Sequence, residues 1–288
     1  MKLVLKNPDN FVNKRMNIYN KEVPCLDTAW HYHPEYELLY VTKSTGIRFV
    51  GDSVAHFYPG QLVLVGAYLP HLWRNDEAYY EAEGGDLMVN TIVMKFLLNF
   101  IGEGTFDNPE FIGIKNLLEE SNFGVSFDKA IGEELHNDLL EIASLPQGQQ
   151  SIKLLNILYR LSLCEEEEKT ILSSTDMRQF STESPDRLDS VIRYISDNYK
   201  MDISLGDVAD IACMTTNSFC RFFKKMTNKS FTEFLNEIRI RNAARMLVQE
   251  NTPISEICYN VGYKSIPNFN KQFKSIMGDT PKGFRYKL

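Results

Sequence analysis

The order of hydrophobic and polar positions changes twice along this chain. Up to about residue 100 the apolar residues come in short runs, "YELLYVT", "GIRFVG", "AHFYPGQLVLVGA" and "DLMVNTIVMKFLL", rich in β-branched and aromatic side chains and punctuated by Gly and Pro. Such runs predict strands, and several at this spacing predict a sandwich or small barrel. From about 108 to 165 the apolar positions fall at helical intervals in "PEFIGIKNLLEES", "IGEELHNDLLEIASL" and "QQSIKLLNILYRLSLC". In the last, Ile152, Leu155, Leu158 and positions 161–163 read as one stripe, to be packed on the sheet or on a partner subunit. The polar, Ser/Thr-rich stretch "EEEEKTILSSTDMRQFSTESPD" then reads as a boundary. Beyond it the pattern is almost all helix. Leu188, Val191, Ile192, Ile195 and Tyr199 form one stripe, and Ser204 with Asp207 signals a capped helix start. The expected fold class is α+β in two domains: a β-barrel with following helices over 1–165, a linker over 166–185, and an all-α domain over 186–288.

The helical part repeats itself. "NSFCRFFKKMTNKSFTEF" aligns with "PNFNKQFKSIMGDTPKGF" at an offset of 50, pairing Phe219 with Phe269, Arg221 with Lys271, Phe223 with Phe273, Lys224 with Lys274 and Phe234 with Phe284. Upstream, Leu205, Val208, Ala209 and Ala212 match Ile254, Ile257, Cys258 and Val261 at an offset of 49. The unit is a short helix, a tight turn and a longer helix, so the chain carries two helix-turn-helix units. Their support helices are 205–212 and 254–260, and their recognition helices are 216–226 and 266–276. Pro253 is expected at the first helical position of its helix, with Thr252 before it as the cap, and Ser265 is expected to cap the last helix. The aromatic pairs Phe219/Phe223 and Phe269/Phe273 share one face at i, i+4 and read as core anchors. Between the units, Ser230 and Glu233 make a capping box for one long helix over 231–250. That helix is about 30 Å long, close to the ~34 Å recurrence of the DNA major groove.

Charge sharpens this division. The 288 residues sum to a formal charge of -7, which on its own argues against nucleic acid. Residues 1–185 carry 15 basic and 27 acidic side chains, whereas 186–288 carry 16 and 11. The repeated half is therefore basic and suited to phosphates. No apolar run is long enough to span a membrane, and "MKLVLKNPDN" turns polar too early for a signal peptide. Five scattered cysteines without C-x-x-C spacing favour free thiols and a reducing cytoplasm.

Residues 186–288 resemble the DNA-binding domain of the AraC/XylS family of transcription regulators. The resemblance rests on Leu205, Val208, Ala209, Phe219, Arg221, Phe223, Lys224, Arg239, Ala243, Leu247, Ile254, Ile257, Gly262, Tyr263, Phe269, Phe273, Lys274, Gly278 and Pro281. It departs at Asn228, where the family usually has Gly and where Asn still tolerates a left-handed cap. It departs again at Lys271, which replaces a frequent Arg and loses bidentate guanine readout. The resemblance implies a specific duplex DNA partner, RNA polymerase as a further partner, a homodimer and an activating role. It also implies base contacts from Asn217, Cys220 and Arg221 in the first unit, and from Ile266, Pro267, Asn268, Asn270 and Lys271 in the second, with Ser265 also at the DNA-binding face. Chemistry ranks Arg221 for guanine, Asn217 or Asn268 for adenine and Ile266 for a thymine methyl, and assigns Lys224, Lys225 and Lys274 to phosphate.

The stretch "WHYHPEYELLYV" carries separate chemistry. His31, His33, Glu35 and Glu37 alternate, so an extended segment would project all four from one face. His31-x-His33-x-x-x-Glu37 resembles the first cupin motif, and Pro59–Gly60, His71 and Asn75 resemble the second. A cupin-like sensor at the N-terminus is also common in AraC-type regulators. Three readings stay open: a divalent metal on His31, His33, Glu37 and His71; a metal-free pocket in which these groups, with Trp30, Tyr40 and Trp73, bind a small effector such as a sugar; or polar groups satisfied by neighbouring strands. His56 and His136 lack such company and read as surface or ordinary core groups. A metal-dependent cupin enzyme is the rival class, disfavoured because a DNA-binding unit does nothing for a metabolic oxygenase.

Overall fold

The computed structural model describes residues 15–26, 29–81, 87–180, 185–249 and 252–286. The chain divides into two compact units that part near residue 184. No helix among the described residues is long and apolar enough to cross a membrane.

Among its described residues the first unit has nine strands: β1 (Met16–Val23), β2 (Tyr36–Lys43), β3 (Gly46–Val50), β4 (Ser53–Phe57), β5 (Leu62–Val65), β6 (His71–Asn75), β7 (Val89–Phe96), β8 (Val125–Phe127) and β9 (Lys169–Ile171). The expected barrel is realised as two sheets, one of six strands in the order β1-β7-β2-β5-β8-β9 and one of three in the order β4-β3-β6. Helices α1 (Ala78–Glu81), α2 (Ile112–Glu120), α3 (Lys129–Glu134), α4 (His136–Ile142) and α5 (Gln147–Leu161) complete the unit. The large sheet is covered on both sides. On one face Leu38, Tyr40, Leu62, Leu64, Ile92, Met94 and Phe96 pack with Leu117 of α2, Leu139 of α4 and Leu154, Ile157 and Leu158 of α5. On the other, Leu39, Val41, Val63, Val65 and Val93 pack with Val50, Phe57 and Trp73 of the small sheet. Double burial explains why these strands read as continuous apolar runs rather than alternating ones.

Two expectations are corrected here. The segment 166–185 is not a linker over its described part. Lys169–Ile171 form the sheet edge by pairing with β8, and Ser173 and Ser174 hydrogen-bond the buried carboxylate of Asp52. Met177 is buried in the inter-sheet core. The segment is polar because it is an edge strand and a surface loop, and residues 181–184 lie outside the described residues. The single stripe expected on α5 is two stripes. Leu154, Ile157, Leu158 and Leu161 are buried, while Ile152, Tyr159 and Leu163 face outward. A helix packed on a sheet buries only one arc, and 152 and 158 lie about 120° apart around the axis, so the arc that buries Leu158 leaves Ile152 outside.

The second unit is all helix among its described residues: α6 (Pro185–Asn198), α7 (Leu205–Ile211), α8 (Thr216–Thr227), α9 (Phe231–Gln249), α10 (Ile254–Asn260), α11 (Ile266–Met277) and α12 (Pro281–Tyr286). Ser204 and Asp207 form their reciprocal cap, as do Ser230 and Glu233. Leu188, Val191, Ile192 and Ile195 of α6 are fully buried. Pro253 stands one residue outside its helix as the N-cap rather than at the first helical position, a difference within the usual fraying of helix ends. Ser265 is the N-cap of α11 without a side-chain capping bond.

Candidate functional sites

In the first unit the strand partners decide which groups meet. His31 and His71 form an isolated antiparallel bridge, and Glu37, the second residue of β2, sits opposite Val65 on one side and Lys95 on the other. One ligand atom from each of His31, His33, Glu37 and His71 lies within 4.8 Å of the others, and all four residues are buried. The segment is not one extended strand. It bends at Pro34 and Glu35, so Glu35 leaves the group and its carboxylate lies 3.3 Å from the far side of His33, at Nδ1.

The tautomers follow from the backbone. His31 Nδ1 is 2.8 Å from the Ala29 carbonyl, His71 Nδ1 is 2.8 Å from that of Leu69, and His33 Nδ1 is 3.0 Å from that of Glu35. A carbonyl only accepts, so each Nδ1 carries a hydrogen, which leaves Nε2 as the nitrogen that a metal would take. His33 Nε2 then stands 3.0 Å from Glu37 Oε2, and His71 Nε2 stands 3.7 Å from the same oxygen. Burial, followed by the neighbouring His71, holds the pKa of His31 well below the usual imidazole value. Burial likewise lowers His71, against the pull of Glu37. Burial by itself would raise Glu37, but the Lys95 ammonium beside it keeps it well below the carboxylate range. The result is a buried set of acceptors, the arrangement in which second-sphere carbonyls fix imidazoles for a metal. A metal with bonds of about 2.0–2.2 Å keeps its ligand atoms within roughly 4.4 Å of each other. These residues fit such an ion with small adjustments.

Lys95 carries only a weak signal in the sequence, a lone cation in the apolar run "TIVMKFLL". Its ammonium lies 3.1 Å from Glu37 Oε2.

The stacking pocket is corrected. Tyr40 lies three residues from Glu37 and therefore points to the opposite face of the sheet. It packs in the helix-side core, and its hydroxyl is 2.8 Å from His136 Nδ1. Trp30 and Trp73 are both buried, and Trp73 stands edge-on to His71. A cleft of about 620 Å³ lies instead among Tyr36, Tyr68, Leu98, Asn99, Lys115 and Glu119. Tyr68 reaches it from a left-handed backbone position, φ 61, with its N–H donated to the His33 carbonyl at 2.7 Å.

In the second unit the sequence repeat is a structural repeat. The turn bonds Cys213 N–H to Asp210 O and Met214 N–H to Ala209 O recur as Gly262 N–H to Tyr259 O and Tyr263 N–H to Cys258 O. Cys213 and Gly262 both have positive φ, at 54 and 89. Asn228 and Gly278 both end their helices in the left-handed region. Phe219, Phe223, Phe269 and Phe273 have no exposed surface, which fixes the opposite faces of α8 and α11 outward. Asn217, Cys220, Arg221, Lys224 and Lys225 are exposed along α8. Ser265, Pro267, Asn268, Asn270, Lys271 and Lys274 are exposed at the head of α11 and along it. Ile266 is half-buried and packs on the core of its own unit, so little of it is free for a thymine methyl.

The family described as a helix-turn-helix domain matches residues 208–287. The chain is 27% identical over 99 residues to the uncharacterized HTH-type transcriptional regulator YdeC of Bacillus subtilis, a match covering 34% of each chain. It is 32% identical over 98 residues to the bifunctional transcriptional activator/DNA repair enzyme AdaA of the same organism, covering 34% of this chain and 46% of that one. These two matches thus span a third to a half of those relatives. The HTH-type transcriptional activator RhaS of Pectobacterium carotovorum is 22% identical over 309 residues, covering 99% of this chain and 98% of that one.

Proposed function

We propose that this chain is a transcription regulator of the AraC type, acting as an activator, that binds specific duplex DNA through α8 and α11, a reading supported by the helix-turn-helix match over residues 208–287 and by the full-length likeness to an HTH-type transcriptional activator. One observation carries the reading: two equivalent helices, each anchored by a buried phenylalanine pair, present polar and basic faces to solvent. Arg221 is bidentate to guanine and Asn217 or Asn268 reads adenine, while Lys224, Lys225, Lys271 and Lys274 hold phosphates. The connector α9 has 19 residues, about 28 Å of helix, which suits recognition helices in successive major-groove turns. RNA polymerase is the partner of an activator, the cytoplasm is where both meet the DNA, and the outward stripe of Ile152, Tyr159 and Leu163 suits a homodimer. The test is selection of duplexes from a random library, followed by binding across a salt series. A preferred sequence and an affinity that falls steeply with salt are expected; salt-independent association without sequence preference overturns the reading.

The first unit is the sensor in this reading. Its signal must favour one state of the regulator over another. The donor arithmetic at His31, His33, Glu37 and His71 favours a divalent metal ion there. When bound, the metal supplies a cation that ties the 31–37 segment and β6 to the large sheet. An organic effector, such as a sugar of the sort implied by a relative named as the lactose operon transcription activator of Staphylococcus xylosus, has its space in the Tyr36–Tyr68 cleft rather than beside the buried indoles. Enzymatic use of the metal is the disfavoured alternative. Metal analysis of protein purified without chelator should find about one divalent ion per first unit; a stable, DNA-binding preparation that takes up none ends the metal reading.

A further inference from the structure

The carboxylate oxygen of Glu37 that faces the imidazoles already holds a cation, the Lys95 ammonium. Glu37 Oε2 is the meeting point of His33 Nε2 at 3.0 Å, Lys95 Nζ at 3.1 Å and His71 Nε2 at 3.7 Å. Oε2 is the oxygen that faces the Nε2 atoms of His33 and His71, so it is the one placed to join these imidazoles on a metal. Lys95 reaches it from β7, where its Cα is registered directly across from Glu37. A lysine ammonium is a compact charge on a flexible stem, and the Lys95 side chain keeps 15% of its surface exposed. It can therefore leave the carboxylate for solvent without unmaking the strand.

We infer that Lys95 is an internal competitor for this site: its ammonium neutralises Glu37 in the metal-free protein, and a divalent metal binds only by displacing it. The inference rests on the metal reading of the four-residue group. Two cations cannot share one buried oxygen without strong repulsion, so the ammonium sets the metal concentration at which the site fills. Because Glu37 and Lys95 bridge neighbouring strands, filling the site exchanges a link between β2 and β7 for one among β2, β6 and the 31–37 segment. That exchange is a structural difference for a regulator to read.

The test uses cobalt(II) with the full-length chain, followed by its visible absorption and by competition with a chromophoric chelator. Wild type, Lys95→Met, Lys95→Gln, Lys95→Arg and His71→Ala are compared, with circular dichroism confirming folding. Both neutral variants should bind cobalt at least about tenfold more tightly than wild type, or bind it where wild type does not. Lys95→Arg should bind no more tightly than wild type, and His71→Ala should lose the site. Neutral variants that match or fall below wild type overturn the role of Lys95 while leaving the metal reading standing. Failure of every form to bind, or unchanged binding by His71→Ala, overturns the metal reading and the inference with it.

Discussion

Arg239 donates from its guanidinium Nε to the carbonyl of Tyr199 at 2.8 Å. The same group donates to the Met201 carbonyl at 2.7 Å and lies over the ring of Tyr263 at 5.7 Å. One side chain on α9 thus joins the end of α6 to the turn of the second helix-turn-helix. Replacing Arg239 by Ala should destabilise the C-terminal unit by about 1.5–3 kcal/mol, since two charge-assisted hydrogen bonds are lost. Urea unfolding followed by helical circular dichroism checks this, and a wild-type transition would contradict it.

The two turns make opposite demands. Gly262 sits at φ 89, and a Cβ there would lie 2.7 Å from the Tyr199 carbonyl oxygen. Cys213 holds the equivalent turn at φ 54 with a side chain that is exposed. Left-handed backbone costs an L-residue about 1–2 kcal/mol. Cys213→Gly should therefore raise the melting temperature or leave it unchanged after the entropy loss of glycine is offset, whereas Gly262→Ala should lower it clearly. The reverse order in a thermal melt would refute the equivalence of the turns.

Arg221 and Lys224 stand one helical turn apart on the exposed face of α8 but have different roles. Arg221→Ala should weaken binding to the selected duplex by about 1–3 kcal/mol and relax preference at one base position; Lys224→Ala should weaken all sequences alike and reduce the salt slope by about one. Anisotropy titrations against the selected site and single-base variants separate the two. Equal losses on every sequence for Arg221→Ala would make it a phosphate contact.

In metal-free protein the buried imidazoles should make the first unit acid-sensitive. His31 and His71 have lowered pKa values in the fold, first through burial. The unfolded chain accepts their protons from about pH 6.5 downward while the folded chain resists them. Their share of stability is whole above that pH and is lost as the pH falls from about 6.5 toward the folded values. Glu37, also held low, adds a loss further down, as the pH falls through its folded value. The melting temperature should drop between about pH 7.5 and pH 5.5, and His71→Gln should flatten the drop. A melting temperature that rises on acidification speaks against the neutral, buried assignment.

Tyr40 tests the face assignment. Its hydroxyl bonds His136 on the helix side of the sheet, away from Glu37. Tyr40→Phe should cost about 1 kcal/mol of stability and leave metal uptake unchanged. A change in cobalt affinity would place Tyr40 on the site's side after all.

The two regimes of the chain, the duplicated helix-turn-helix, its capped helix starts and the buried phenylalanine pairs were legible in the order of residues alone. These depend on local periodicity and on short-range turn chemistry, which a linear pattern carries. The sequence also pointed to His31, His33 and Glu37 through their spacing, and to His71 through the resemblance to the second cupin motif. Only the tertiary structure decided the rest. Residue parity across β2 sent Tyr40 to the far face, and the Cα register of β2 with β7 brought Lys95 to Glu37, although 58 positions separate them in the chain. The pairing of Lys169–Ile171 with β8 turned an apparent linker into a sheet edge. The packing of α5 on the large sheet chose which apolar arc to bury. Register and packing are set by long-range partners, and no local pattern of hydrophobic and polar residues encodes which partner a strand or a helix face will find.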